Sequence, residues 1–295
     1  LDLADDAALL APPFGRELVI SADAMVAGVH FLPDDPPDLI GRKLLRVNLS
    51  DLAAKGATPL GYLMTVSAPR GTPDAWFAGF AAGLAADQAT FGITLLGGDT
   101  TSTPGPLSLS LTIIGHVALG QMVRRIGAKP GDGVWVTGTI GDGALGLAVA
   151  QGRLADPTGY LLDRYRLPCP RVGLNLAGIA SAAMDVSDGL VQDLGHLCRA
   201  AGLGATIESV VVPLSAAAHA AGPDWIADRL TGGDDYEVLM AVPPAQVPAL
   251  RAAAGSLKVT RIGLFHATTG LIPPVTVVDM RGVPMALPVP GWSHF

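Results

Sequence analysis

The chain has 295 residues, 49% of them apolar and 15% charged, with 37 glycines and 24 prolines. At roughly 150 residues per domain, this length makes two domains with real cores and excludes a peptide-sized or metal-stapled scaffold; the composition excludes a disordered chain. Acidic residues outnumber basic ones by 26 to 19, a net charge of −7, and no Lys/Arg run occurs, so nucleic acid, whose backbone needs a basic face, is not an expected partner.

Strand-like and helix-like runs alternate along the chain, the pattern of an α/β or α+β protein. The opening Leu1-Asp2-Leu3-Ala4-Asp5-Asp6 has neither the basic region nor the apolar stretch of a secretory signal. Leu18 to Ala22 reads as a strand, Asp38 to Lys55 as a helix stopped by Gly56, and Tyr62 to Ser67 as a strand. Pro73 to Phe91 reads as a helix, with Thr72 as its cap and Pro73 in the first turn. Ile93 to Leu96 is a short strand and Leu107 to Val117 a long apolar one. The latter falls short of the roughly 18 residues that a membrane span needs, so no membrane partner is expected. After a Gly/Pro-bearing segment over 124–132, a second set begins with a strand at Val134 to Thr137, a helix from Ala144 and another from Arg171. The domain boundary is placed near residue 120, with one domain over 1–120 and a C-terminal α/β domain over 121–295. Cys169 and Cys198 are the only cysteines, in no ligand or disulfide spacing, which fits a reducing cytoplasm.

The aspartates carry the chemical information. They sit beside small residues at strand ends and turns: Asp5-Asp6, Ser21-Ala22-Asp23, Asn48-Leu49-Ser50-Asp51, Gly97-Gly98-Asp99-Thr100, Asp185-Val186-Ser187-Asp188-Gly189 and Gly232-Gly233-Asp234-Asp235. Any single Gly-Asp pair reads as an ordinary turn. Six such groups together would neutralise themselves by raised pKa values unless cations intervened, and hard oxygen donors point to Mg²⁺, which completes its shell with phosphates and water. Asn48, Asp51 and Lys55 share one helical face, which a solvated face explains as well as a metal site does.

Gly141 to Gly146 spells G-x-G-x-x-G between a strand and a helix, where helix amides would favour a phosphate. Against a dinucleotide site, Asp142 sits inside the loop and no strand ending in an acidic residue follows about 20 residues later. Arg124 and Arg125 could supply fixed charge to a phosphoryl group or cap a domain junction. The six histidines are scattered, so no Ser/His/Asp triad can be read; His30, close after Asp23, could touch a substrate or be an ordinary surface histidine.

Asp5-Asp6-Ala7-Ala8-Leu9, Ser21-Ala22-Asp23 with Gly28-Val29-His30-Phe31, Val47 to Ala54, Gly97 to Thr101, Gly127 to Asp132, Asp185 to Leu190 and Gly232 to Glu237 together resemble the bacterial thiamine-monophosphate kinases. The likeness runs in order along nearly the whole chain. Several pieces are shared with the wider aminoimidazole ribonucleotide synthetase-like superfamily. The resemblance implies ATP-dependent transfer of the γ-phosphoryl group to thiamine monophosphate, giving thiamine diphosphate, with several Mg²⁺ ions. It implies an α/β (α+β) two-domain fold, in which the N-terminal ATP/Mg-binding domain contributes strands to a dimeric β-barrel and the C-terminal domain closes over the active site. The implied partners are thus thiamine monophosphate, ATP and a second copy of the chain.

Carried over by position, the resemblance implies that Asp6, Asp23, Asp51, Asp99, Asp185 and Asp188 hold metal, with Ser21 assisting and Ala22 contributing its carbonyl. Gly98, Asp99, Arg125 and Ser187 would lie along ATP. His30 and Asp234 would face the thiamine phosphate, with Val289 and Trp292 nearby. Asp51, Asp99, Arg125 and Asp188 would act in catalysis. Ala22 stands where the family usually has Thr, Asp234 where it has Glu, and Val289 where some relatives carry an aromatic. These departures bear on substrate affinity more than on reaction type. The alternatives are another ATP-dependent enzyme of the superfamily, a ligase or dehydratase on a different small molecule, and a non-catalytic nucleotide-binding scaffold.

Overall fold

The structure is a computed structural model that describes residues 6–268 and 274–293; Asp5 of the first acidic pair lies outside them. The chain divides into two compact units, one drawn from Leu1–Ala53 and Ala57–Met122, the other from Ala54–Gly56 and Val123–Phe295. Each is a mixed α/β unit built on its own sheet.

In the first unit, strands β1 (Arg16–Val26), β2 (Thr58–Pro69), β3 (Thr94–Thr103) and β4 (Ser108–Ala118) form a sheet in the order β1-β4-β2-β3. β4 is antiparallel to β1 and β2, and β2 is parallel to β3. The period-2 pattern of β4 sets its two faces: Leu109, Leu111, Ile113 and Val117 are buried, while Ser110, Thr112, Ile114 and His116 on the other face are half-exposed. Helices α1 (Pro37–Ala54) and α2 (Asp74–Phe91) complete the unit. They meet through glycine, since a Cβ on Gly83 would stand 2.0 Å from the Asp38 carbonyl oxygen and one on Gly41 2.6 Å from that of Phe80. Beside this crossing the fully buried Asp87 accepts from Arg46 Nε at 2.5 Å and Nη2 at 3.0 Å, and from Arg42 Nε at 3.1 Å. The four strands form an open sheet and not a closed barrel.

In the second unit, β5 (Gly133–Thr137), β6 (Ala182–Asp185), β7 (Leu203–Glu208), β8 (Val238–Val242), β9 (Val259–Ala267) and β10 (Val275–Val278) take the order β10-β7-β9-β5-β8-β6. β5, β6 and β8 are buried at every position, as strands covered on both faces must be. On one face Val134, Val136 and Leu239 pack with Leu190, Leu194 and Leu197 of helix α5 (Leu190–Ala201). On the other, Trp135 and Met240 pack with Leu176 and Leu250. The remaining helices are α3 (Asp142–Ala150), α4 (Tyr160–Arg166), α6 (Ala216–Ala220), α7 (Ile226–Thr231) and α8 (Val247–Ala254).

Three local expectations are corrected. Thr72 does not cap α2: its hydroxyl donates to the Pro69 carbonyl, and the helix starts after Pro73. No helix begins at Arg171. Gly173 and Gly178 there adopt φ of +90° and +70°, and the Asn175 side chain accepts from the Ala177 amide, a turn that competes with helix. β3 does not stop at Leu96 but runs on through Gly97-Gly98-Asp99-Thr100 to Thr103, so this acidic group lies within an edge strand, as Asp23 lies within β1.

Candidate active site

The candidate residues fall into two sets, one in each unit. In the first unit, strand alternation puts Ser21 and Asp23 on the face of β1 that also carries the buried Val19 and Met25, and Ala22 on the opposite, exposed face. Ser21 Oγ donates to Asp51 Oδ2 from α1, so strand and helix bring these two together across 30 residues of sequence. The shared face of Asn48, Asp51 and Lys55 does not act as one group. Asn48 Nδ2 donates to the Leu44 carbonyl at 2.9 Å, while Lys55 Nζ donates to the Ala183 carbonyl at 2.8 Å.

Asp6 lines an open cleft of 680 Å³ with Gly97, Gly98, Asp99, Thr100, Met64 and Leu63. Gly98 has no room for a side chain, because a Cβ would meet the Met64 carbonyl oxygen of the paired strand at 1.8 Å. The backbone is therefore bare where it faces the cleft, and the exposed Asp99 follows, accepting from the Thr100 amide at 2.8 Å. His30 sits on the turn after β1. Its Nδ1 accepts from the Val26 amide at 3.0 Å, which leaves Nε2 as the proton-bearing nitrogen, and Lys43 Nζ donates to the His30 carbonyl at 3.0 Å.

In the second unit, Asp185 ends β6, and Ser187 and Asp188 follow on the turn into α5. This turn is held by a residue that sequence reasoning missed. Asp193, in the first turns of α5, accepts from the amides of Ser187, Asp188 and Gly189 at 3.0–3.1 Å. Burial, with Asp185 and Asp188 beside it, nevertheless pushes the Asp193 carboxyl up to about 8. Only its place near a helix start hinted at that role. Arg125 is exposed, and the preceding Arg124 carbonyl accepts from Ala183 of β6 at 2.9 Å. Trp292 is tied to the same turn, its amide donating to the Asp188 carbonyl at 2.9 Å and its carbonyl accepting from Gln192 Nε2 at 2.6 Å. Trp292 and Val289 are 51% and 52% exposed.

The segment 232–237 runs beside this turn. The amides of Asp234 and Tyr236 donate to the carbonyls of Ser187 and Val186 at 2.9 and 2.8 Å. The fully buried Asp235 accepts from the amides of Gly141 and Gly143 at 2.7 and 3.1 Å. These are amides of the G-x-G-x-x-G turn, so a carboxyl group of the chain occupies the helix start where a phosphate would sit. Burial pushes the Asp235 carboxyl well above the usual carboxylate range, against those two amides. Asp142 is likewise spent internally, accepting from Thr139 and Ser215 at 2.6 Å and from Tyr160 at 3.2 Å. A dinucleotide at this turn has no free cradle.

The donor sets suit hard cations. They are hydroxyl and carboxylate oxygens without a cysteine, and burial first, then the neighbouring Asp185 and Asp188, raises the Asp193 carboxyl. Among the described residues no three His, Cys, Asp or Glu side chains form a ready cage; Mg²⁺ commonly draws its other ligands from water and substrate phosphates.

Two family models of one class match the chain: AIR synthase related protein, N-terminal domain, over residues 4–117, and AIR synthase related protein, C-terminal domain, over residues 129–272. The fold is that of the AIR-synthase-related proteins. Within that class, thiamine-monophosphate kinase of Caulobacter vibrioides is 49% identical over 281 residues, covering 92% of this chain and 80% of its own. The crystal structure of thiamine-monophosphate kinase from Stenotrophomonas maltophilia K279a matches with a TM-score of 0.85 at 41% identity, covering 94% of this chain and 90% of that one. The structure of AaThiL complexed with AMPPCP and TMP matches with a TM-score of 0.82 at 28% identity, covering 97% and 89%. The chain belongs to the thiamine-monophosphate kinase family.

Proposed function

We infer that this protein is an enzyme that phosphorylates thiamine monophosphate to thiamine diphosphate at the expense of ATP. The observation that carries this reading is the likeness to kinases of that name along essentially the whole chain. AaThiL, complexed with an ATP analogue and TMP, supports ATP as co-substrate.

The residue roles follow from the chemistry. The acceptor is a phosphate oxygen, already anionic near neutral pH, so positioning and charge neutralisation suffice and no general base is needed. That accounts for acidic sets without a catalytic histidine. Asp6, Ser21, Asp23, Asp51, Asp99, Asp185 and Asp188 would hold Mg²⁺, with Ala22 limited to its carbonyl. When bound, the ions neutralise phosphate charge so that two anionic substrates can approach the carboxylates. Ser21 donating to Asp51 fixes one carboxylate oxygen. Gly98 lets a phosphate approach bare backbone, and Asp99 stands next to it. Arg125 and the Ser187 hydroxyl are donors for ATP oxygens, and Asp51, Asp99, Arg125 and Asp188 carry the transfer. His30 offers Nε2–H to the phosphate of thiamine monophosphate, Asp234 faces that substrate, and Trp292 with Val289 provides the apolar contact.

The protein works as a homodimer in this reading, with β1 to β4 joining their counterparts in a barrel. The outer face of that sheet supports it: Leu18, Ile20 and Leu63 are exposed there, and His116 Nδ1 on the same face lacks a hydrogen-bond partner. No helix among the described residues is long and apolar enough to cross a membrane, and two free cysteines accord with the cytoplasm. ADP release with thiamine monophosphate, with thiamine and aminoimidazole precursors as controls and the product weighed by mass spectrometry, tests the activity. Thiamine diphosphate formed only from the monophosphate, and lost with EDTA, is expected. ADP release with another acceptor would move the protein to a superfamily neighbour; ATP binding without product would make it a scaffold.

A further inference from the structure

Asp234 and Tyr236 are the two non-glycine residues with positive φ among the described residues, at +70° and +52°. Aspartate visits this region with some ease; a bulky aromatic does so only when its surroundings force it, and such residues gather at functional sites. The forces are visible. The Asp234 and Tyr236 amides are bonded to Ser187 and Val186, and the Val186 amide donates back to the Glu237 carbonyl at 2.8 Å. Asp235 between them is fastened to Gly141 and Gly143. Glu237 after them is fully buried and accepts from Arg164 at 3.2 Å and Arg171 Nε at 2.6 Å. Close packing leaves no slack: a Cβ on Gly233 would stand 2.2 Å from the Ser187 carbonyl oxygen, and one on Gly143 2.3 Å from that of Asp234.

One product of this anchoring is that Tyr236 and Asp234 turn toward each other, and the Tyr236 hydroxyl donates to Asp234 Oδ1 at 3.2 Å. We propose that Tyr236 is a positioning residue: its hydroxyl holds one oxygen of Asp234 and so presents the other to the thiamine monophosphate. This rests on the reading of Asp234 as a contact of that substrate. A hydrogen bond to a carboxylate fixes both its rotamer and its remaining acceptor, and preorganisation of this kind appears in substrate affinity.

The test is a cycle of Y236F, D234A and the double variant in the full-length enzyme, with KM for thiamine monophosphate, KM for ATP, kcat and melting temperature measured on each. Tyr236 is half-buried and phenylalanine fills the same ring volume, so Y236F is expected to melt close to the parent. Y236F should raise KM for thiamine monophosphate about three- to tenfold, the size of one such bond, with kcat and KM for ATP within about twofold. In the D234A background it should add nothing. If D234A leaves KM for thiamine monophosphate unchanged, the reading of Asp234 falls and the inference with it. If D234A raises that KM but Y236F does not, or raises it by the same factor with and without Asp234, the inference alone is overturned. A melting-temperature drop without the selective KM change marks a structural role and also overturns it.

Discussion

Both carboxylate oxygens of the buried Glu237 are committed: Thr137 Oγ1 and Arg171 Nε donate to one, Arg164 and Arg171 Nη2 to the other. Removing one partner of a buried ion pair strands the charge of the rest, so E237A should cost about 3–5 kcal/mol in urea unfolding, far more than an exposed glutamate would. Two other buried groups set the response to alkali. Burial pushes the Tyr62 hydroxyl and the Cys198 thiol up to about 12 each. The unfolded chain sheds these protons at lower pH than the folded one, so their contribution is whole below about 9, near the unfolded thiol value, and is lost as pH rises toward 12. Thermal melts at stepped pH should show a falling melting temperature over that window, and C198A should soften the fall; a flat profile would refute the argument. At this scale the sequence was partly legible. The candidate aspartates stood out because they sit beside glycines and serines in recognisable runs. Glu237, Asp235 and Asp193 hold their partners across up to about a hundred residues of chain or through backbone amides, and neither relation leaves a periodic mark.

The helices α1 and α2 show what elements demand of each other. Their backbones approach at Gly83 and Gly41, and the Arg42–Asp87–Arg46 grouping lies along the same contact. G83A would put a methyl group into the Asp38 carbonyl, and such overpacking should cost about 1–3 kcal/mol or more in denaturant melts, whereas alanine at an exposed helical position would be stabilising. A neutral G83A would mean that the helices can part without loss. The helix spans were readable from their ends, Gly56 stopping the first and Pro73 opening the second. The extent of β3 was not, since Gly97-Gly98-Asp99-Thr100-Thr101-Ser102 has none of the apolar residues that betray a strand. It is a strand because β2 pairs with it in a parallel ladder, Met64 beside Gly98 and Ala68 beside Ser102, that runs to Pro69 and Thr103. The segment after Arg171 fails in the opposite sense: it reads as a helix, and turn-forming Asn175 and two left-handed glycines prevent it.

At the scale of the whole molecule, one face of the first unit's sheet carries exposed apolar side chains. Ile20 is 61% exposed on a sheet face with Leu18 and Leu63, and exposed apolar side chains gathered on one face mark a contact surface. In the homodimer reading, I20K should shift the sedimentation coefficient from dimer to monomer while leaving far-ultraviolet circular dichroism unchanged; a parent protein that sediments as a monomer would refute that reading. The two-unit α/β character was legible from alternating runs, but the outward apolar face was not, because a half-buried strand and a partner-facing strand have the same period. The attachment of Trp292 to the Asp188 turn has an optical consequence. Of the four tryptophans, Trp135 is buried, Trp76 stacks on Phe80 and Trp225 lies under Arg153, while Trp292 is half in water and hydrogen-bonded to the turn that carries Asp188. Titrating thiamine monophosphate should therefore change the indole emission, and W292F should silence most of that signal, giving the enzyme a fluorescent reporter of occupancy without any added dye.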